Sequence, residues 1–366
     1  MKKTIFSIAA ALLSLASFLP AFAGCSEKDG PHEDEYLLEE IPAEPGRIVI
    51  AYVRAWSQAM PDPSRMTHIN YAFGHVASTF NAVEIDNESR LRSIAALKSV
   101  NPDLKILLSI GGWASGNFSE MAASETLRKA FAKDCAAKVA EFGIDGIDID
   151  WEYPTSSAAG IVSSPADKAN FTLLMRDLRL ALGRDKLLTF ATICSAQFIN
   201  FAGVLPYVNF INIMSYDLGY APVHNAPLFD TDSEGRKSAI AGTWSCAKSV
   251  EAHLRAGVPE GKLVMGMPLY GRGNNVEYPN SINYRDLSGP KEGHSELWDE
   301  IARVPYYADE NGNMLFGFDN VRSIEEKCDY IVEKGLKGGM YWEYSQDSDD
   351  GDLTLAIASK LLQSAE

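Results

Sequence analysis

The segment Asp145-Gly146-Ile147-Asp148-Ile149-Asp150-Trp151-Glu152-Tyr153-Pro154 sets acids at alternate positions through an otherwise apolar, β-prone run. In a strand, residues i, i+2 and i+4 share a face, so Asp148, Asp150 and Glu152 point together while Ile147, Ile149 and Trp151 face the other way. Same-face neighbours on a strand are roughly 6.5–7 Å apart. Like charges at that spacing in partial burial raise one another's pKa, so a proton is retained near neutrality, as a general acid requires. Two bland readings compete. A helix-loop-helix calcium site needs Gly after its third ligand, and Tyr153 stands there. A solvated acidic edge does not explain an opposite face of Ile, Ile and Trp.

Acids on a strand act only if a scaffold holds the end of that strand open to substrate. Apolar β-prone runs recur at 47–53, 66–73, 104–110, 143–151, 187–193, 208–215, 263–268 and 338–342. Helical patterns lie between most of them, at 89–100, 125–142, 166–182, 243–256 and 324–334, with a last one at 353–362. Gly143, Gly183, Gly257 and Gly335 close four of these helices, and Ser164-Pro165 opens the one at 166–182. Ser323 with Glu326 reads as a capping box for the helix at 324–334. The alternation predicts a parallel sheet, and eight repeats at this length favour a closed α/β barrel of the (β/α)8 TIM type. Active sites of such barrels lie at the C-terminal strand ends, and Glu152 falls at the end of the fourth run. The stretch 273–318 after the seventh run is too long for a turn. Its two β-like runs around Asn311-Gly312 signal a hairpin, so a small α+β lobe is expected to wall one side of the cleft.

The chain opens with Lys2 and Lys3, an apolar run from Ile5 to Leu19, and Ala21-Phe22-Ala23-Gly24-Cys25, which reads as an export signal over 1–24. Pro20 breaks the run, which is too short to span a membrane. Phe22-Ala23-Gly24-Cys25 resembles a bacterial lipobox, with Cys25 as the lipid-bearing residue; ordinary cleavage after Ala23 is the alternative. The acid-rich stretch 25–46 then serves as a tether to a catalytic domain at 47–366. The expected location is a bacterial outer membrane, reached only through the lipid and at the cell surface, with a secreted or periplasmic protein as the alternative. Net charge is -16, and without Lys2 and Lys3 it becomes -18, from 31 basic and 49 acidic residues. Such a surface repels nucleic acid and acidic polysaccharide and favours a neutral substrate. Cys135, Cys194, Cys246 and Cys328 each fall inside a predicted element and are expected to be buried free thiols. No Cys or His spacing matches a metal site, and no cofactor is implied.

Taken in order, the motifs resemble those of glycoside hydrolase family 18, the family of chitinases, chitinase-like lectins and some endo-β-N-acetylglucosaminidases. Its Asp-Gly-x-Asp-x-Asp-x-Glu signature is matched in full by Asp145, Gly146, Asp148, Asp150 and Glu152. Ser109-Ile110-Gly111-Gly112-Trp113 resembles its third-strand motif and Met214-Ser215-Tyr216-Asp217 its sixth. Met267-Pro268-Leu269-Tyr270-Gly271-Arg272 resembles the seventh and Gly338-Gly339-Met340-Tyr341-Trp342 the eighth. The inserted lobe is shorter than in many long-cleft members, which puts a deep processive tunnel in doubt.

The resemblance implies a monomeric enzyme acting on an N-acetylglucosamine-containing oligosaccharide or polysaccharide, by substrate-assisted hydrolysis with retention. Glu152 would be general acid and then base, Asp150 would orient the acetamido N–H, and Asp148 would share a proton with Asp150. Tyr216 would bond the acetamido oxygen, and Asp217 and Arg272 would hold sugar hydroxyls or a neighbouring acetamido group. Trp342 would floor the distorted sugar and Trp113 would stack further along, with Tyr52, Phe73, Met214 and Tyr270 completing the pocket. Gly112 and Gly111 allow close backbone approach. By residue type alone Phe73 and Met214 fit barrel core, Asp145 a strand start, and Asp347, Asp349, Asp350 and Asp352 a solvated loop and helix cap. Cleavage of β-1,4-linked N-acetylglucosamine in chitin or chitooligosaccharides leads. An endo-β-N-acetylglucosaminidase of N-glycan cores and a non-catalytic lectin are the alternatives, and the intact Glu152 weighs against the lectin.

Overall fold

A computed structural model describes residue 41 and residues 44–362. The expected signal at 1–24, Cys25 and most of the tether lie outside the described residues.

Eight parallel strands close into a barrel in the order β1 (Ile48–Arg54), β2 (His68–Val76), β4 (Lys105–Gly111), β5 (Gly146–Asp150), β6 (Leu187–Ile193), β7 (Phe210–Met214), β8 (Leu263–Pro268) and β14 (Gly338–Trp342). Closure is made by β1, which pairs with β14 from Ile48↔Gly338 to Ala51↔Tyr341 and with β2 from Ile50↔His68 to Arg54↔Ala72. A short strand, β3 (Val83–Ile85), hangs antiparallel on the extended end of β2. Strand runs rich in Ile, Val and Leu suit this arrangement because each strand is covered on its outer face by helices. The β5 alternation splits as its pattern requires: Ile147, Ile149 and Trp151 are buried with the helices, where Trp151 stacks on Phe118 at 5.3 Å.

The helix Glu125–Phe142 starts at Ser124, whose hydroxyl accepts from the Leu127 amide, and ends at Gly143 with φ 65. A buried ion pair, Arg128 to Asp177 at 3.0 Å, joins it to the helix Asp167–Leu182. Two sequence expectations are corrected. The helix after the lobe spans Val321–Glu333 and its capping box is Asn320 with Ser323, because Asn320 is the better-placed side-chain acceptor one turn upstream of the expected start. Asp347 caps the last helix as expected, accepting from the amides of Leu353 and Thr354, but is buried and not solvated, unlike Asp349, Asp350 and Asp352.

The lobe is a five-stranded antiparallel sheet in the order β10 (Ile282–Asn283), β9 (Tyr270–Gly273), β13 (Met314–Gly317), β12 (Val304–Ala308) and β11 (Ser295–Asp299). The hairpin at Asn311-Gly312 is present, with the Asp309 carboxylate accepting from the amides of Asn311 and Asn313. Between 273 and 318 the lobe has no α-helix, only a 3-10 turn at Tyr284–Asp286, so it is all-β and not α+β. Its first strand starts at Tyr270, three residues ahead of the expected boundary, and continues almost directly from β8. Tyr278, Tyr307, Phe316 and Phe318 form its own aromatic core. Where the lobe rejoins the barrel, Lys327 Nζ and Asp319 form a fully buried pair at 2.6 Å.

At the opposite end of the barrel from Glu152, Lys337, just ahead of β14, donates its ammonium to the carbonyls of Glu44 and Gly46. The chain therefore arrives at β1 across the N-terminal face. Cys135, Cys194, Cys246 and Cys328 are buried and unpaired.

Candidate active site

Asp148 sits at the centre of the barrel, fully buried, and its carboxylate accepts four hydrogen bonds. They come from Tyr52 Oη at 2.9 Å, Ser109 Oγ at 2.8 Å, Thr189 Oγ1 at 2.6 Å and Asn212 Nδ2 at 3.1 Å. Four donors on two oxygens suit an ionised carboxylate. Burial raises the Asp148 pKa and these bonds oppose the rise. Asp150, one pleat further along, is almost fully buried, and its Oδ1 has no hydrogen-bond partner. Burial first, then the charges of Glu152 and Asp148, push its pKa well above the ordinary carboxylate range. Glu152, beyond the strand end, lines the cavity and is pushed up to about 7 by burial and by the charge of Asp217, while a hydrogen bond with Tyr153 pulls the other way.

Glycine makes this wall possible. A Cβ at Gly111, where φ is 130, would lie 1.9 Å from the Asp150 carbonyl oxygen. At Gly112, φ 92, it would lie 2.7 Å from the Phe73 ring. Phe73 in turn stacks on Trp342 at 5.6 Å, and Tyr52 tilts against the same indole at 5.8 Å. Three aromatic residues from β1, β2 and β14 thus build one floor. Gly266 on β8 has the same relation to Tyr216, whose Cε1 would lie 2.8 Å from an added Cβ. Desolvation first, then Tyr270 and the surrounding acids, raise the Tyr216 pKa, so the phenol keeps its proton and stays a donor.

Asp217 follows β7 with φ 56, a left-handed conformation that Asp tolerates. Its Oδ1 accepts from Tyr270 Oη at 2.6 Å and from Arg272 Nε at 2.8 Å, both on the first strand of the lobe. Asn225 braces the joint, accepting from the Asp217 amide and donating to the Tyr270 carbonyl.

These side chains surround one cavity of about 890 Å3. Of the residues selected from sequence, Glu152, Asp150, Tyr216, Tyr52, Phe73, Trp113, Met214, Asp217, Tyr270, Arg272 and Trp342 line it. Phe73 and Met214, which fit barrel core by type, are pocket wall. Asp148 and Gly112 lie behind the lining and act on it through Tyr52 and Phe73. Asp145 anchors the strand start, pairing with Lys98 at 2.6 Å and accepting from the Ile106 amide. Sequence reasoning missed Trp56, Tyr153, Ser156, Gln197 and Phe198, all in loops beyond strand ends. The ring of Tyr153 stacks on Phe198 at 5.4 Å, and Trp56 is 58% exposed at the cavity edge. An aromatic two residues past a barrel strand, as Trp56 is after Arg54, was the available signal. Among the described residues no cluster of His, Cys, Asp and Glu is arranged to hold a metal ion.

The profile of Glycosyl hydrolases family 18 matches residues 48–347. The chain belongs to glycosyl hydrolase family 18. It is 31% identical over 384 aligned positions to Chitinase A1 of Niallia circulans, covering 81% of this chain and 55% of that protein. The barrel superposes with a TM-score of 0.77 on the chitinase ChiW of Paenibacillus sp. FPU-7, described as cell-surface-expressed and multi-modular, at 30% identity over 87% of this chain and 43% of that one. A family 18 N-acetylglucosaminidase from Paenibacillus barengoltzii superposes at 0.76 with 34% identity, over 86% of this chain and all of the other. The chain thus spans about half the length of the first two relatives and the whole of the third.

Proposed function

We propose that this family 18 protein hydrolyses β-1,4-linked N-acetylglucosamine in chitooligosaccharides or chitin, with retention and with the substrate's own acetamido group as nucleophile. The observation that carries this reading is the burial of Asp150, whose Oδ1 has no hydrogen-bond partner. A two-carboxylate retaining enzyme needs an ionised carboxylate beneath the anomeric carbon. Burial, with the charges of its two acidic neighbours, pushes the Asp150 pKa well above the ordinary carboxylate range, which disfavours its ionised form, and Asp148 is occupied by four donors behind it. This supports a nucleophile supplied by the sugar.

In the first step Glu152 gives its proton to the leaving glycosidic oxygen as that bond to the anomeric carbon breaks. The acetamido oxygen attacks the same carbon from the opposite face, forming a cyclic oxazolinium. Tyr216 donates to the acetamido oxygen, and Asp150 accepts from the acetamido N–H, which becomes positive as the ring closes. Trp342 with Phe73 and Tyr52 supports the apolar face of the sugar. In the second step Glu152, now ionised, takes a proton from water. The resulting hydroxyl opens the oxazolinium, so the anomeric carbon is inverted twice and its configuration is retained.

Product analysis on chitotetraose beside a high-mannose glycopeptide tests the reading. Cleavage of the tetramer, lost in Glu152→Gln, is expected. Release of N-glycan without cleavage of the tetramer would overturn it in favour of an N-glycan-core enzyme, and binding without turnover of either would favour a lectin.

We also infer export and lipid attachment at Cys25, supported by the charge, length and small-residue pattern of 1–25. Cys25→Ser is expected to move the protein from the membrane fraction to the soluble one; an unchanged distribution would refute the anchor.

A further inference from the structure

Beside Trp56, outside the cavity, lies an ion pair whose carboxylate is buried and whose guanidinium is partly exposed. Arg54, the last residue of β1, pairs through Nη2 with Glu343 at 2.7 Å and donates to Ser345 Oγ at 3.0 Å. Glu343 is fully buried, directly follows the floor residue Trp342, and accepts from the Ser345 hydroxyl and amide. The other side of the Arg54 guanidinium faces the Trp56 ring, its Cζ 5.3 Å from the centroid. The backbone of this loop is held separately: Arg90 donates to the carbonyls of Arg54 and Ala59, and Asn87 to that of Ala55. The loop backbone is therefore held, and the guanidinium of Arg54 lies against the exposed indole that the loop carries. In the ring order of strands β1 lies opposite β6, so Trp56 and the Tyr153–Phe198 stack stand on opposing rims of the cleft.

We propose that Arg54, braced by Glu343, is a positioning residue that holds Trp56 as a preset stacking platform and so sets how strongly the cleft prefers longer sugar chains. The inference rests on the saccharide reading above. A cation over an indole at an exposed site limits its rotamers and lowers the ordering cost of each binding event. Arg54 touches no bond being broken, so its effect falls on the binding of chains long enough to reach the rim.

The test compares chitohexaose with 4-nitrophenyl chitobioside for the wild type, Arg54→Met, Trp56→Ala and the Arg54→Met/Trp56→Ala double variant. Arg54→Met is expected to raise KM for the hexamer about two- to five-fold while kcat and the disaccharide kinetics stay unchanged. Adding it to Trp56→Ala should cost nothing further, because both remove the same platform. Arg54→Met/Glu343→Gln avoids leaving a buried carboxylate unpaired and is expected to behave as Arg54→Met does. Equal losses on both substrates in that folded double variant, an unchanged hexamer KM, or additivity with Trp56→Ala would each overturn the proposal. A wild type that cleaves neither substrate would instead remove the saccharide reading beneath it.

Discussion

The Tyr270 hydroxyl donates to Asp217 Oδ1 at 2.6 Å, joining the first strand of the lobe to the loop after the sixth barrel strand. The same carboxylate faces Glu152 electrostatically and helps to raise its pKa. One contact thus ties the lobe to the carboxylate that helps to raise the pKa of Glu152, the proposed acid. Removing the negative charge with Asp217→Asn lowers the Glu152 pKa, so the basic limb of kcat/KM is expected to move to lower pH. A pH profile measured on a chromogenic oligosaccharide checks this, and a limb that stays in place or moves upward would break the link.

As the proposed general acid of the wild type, Glu152 must be protonated to act, and its pKa is pushed up to about 7. Activity is expected to fall as pH rises through about 7. Glu152→Gln removes the proton donor, with an expected loss of about 10²–10⁴-fold in kcat. Tryptophan fluorescence should report retained oligosaccharide binding in that variant, because Trp342 and Trp113 both line the cavity.

The same acid weighs on stability. Its folded pKa lies above its ordinary value of 4.5, so the folded state holds the proton more tightly than the unfolded state between about 4.5 and 7. Stability from this group is full below that window and declines as pH rises through it. Glu152→Gln is therefore expected to melt close to the wild type at pH 4.5 and above it at pH 8. Differential scanning calorimetry at the two pH values decides.

The barrel and the acid wall were legible because each rests on a period. The alternation at 148, 150 and 152 exposed the wall, and the eight strand-like runs exposed the barrel. The lobe was read less completely. Strand β9 carries Gly271 and Gly273, which blunt a strand signal, and Ser295–Asp299 has no clean alternation on its exposed side. Trp56, Gln197 and Phe198 were missed because loop direction depends on contacts between distant residues. The loop that carries Trp56 is held by Arg90, and Arg54 at its start pairs with Glu343, 289 positions away, contacts that no local pattern can reveal.

Gly112→Ala asks a β-carbon to fit 2.7 Å from the Phe73 ring at φ 92. The expected cost is about 1–3 kcal/mol in urea denaturation, with displacement of Phe73 from Trp342 and a fall in kcat. Wild-type kinetics in this variant would show that the aromatic floor does not depend on the glycine.

Lys327→Met strands the carboxylate of Asp319 in the interior, where among the described residues Ser323 Oγ remains as its donor. A loss of about 3–5 kcal/mol is expected by chemical denaturation. Lys327→Met combined with Asp319→Leu should recover much of it. No recovery would mean that the pair also fixes how the lobe returns to the barrel.

The bonds from Lys337 to the carbonyls of Glu44 and Gly46 put the incoming chain beneath the barrel floor, with the catalytic mouth on the far side. A molecule gripped by that end is held like a lamp on its base: its working surface looks outward. Coupling the N-terminal side to a bead should leave oligosaccharide access intact, whereas coupling through the lobe surface should shade it.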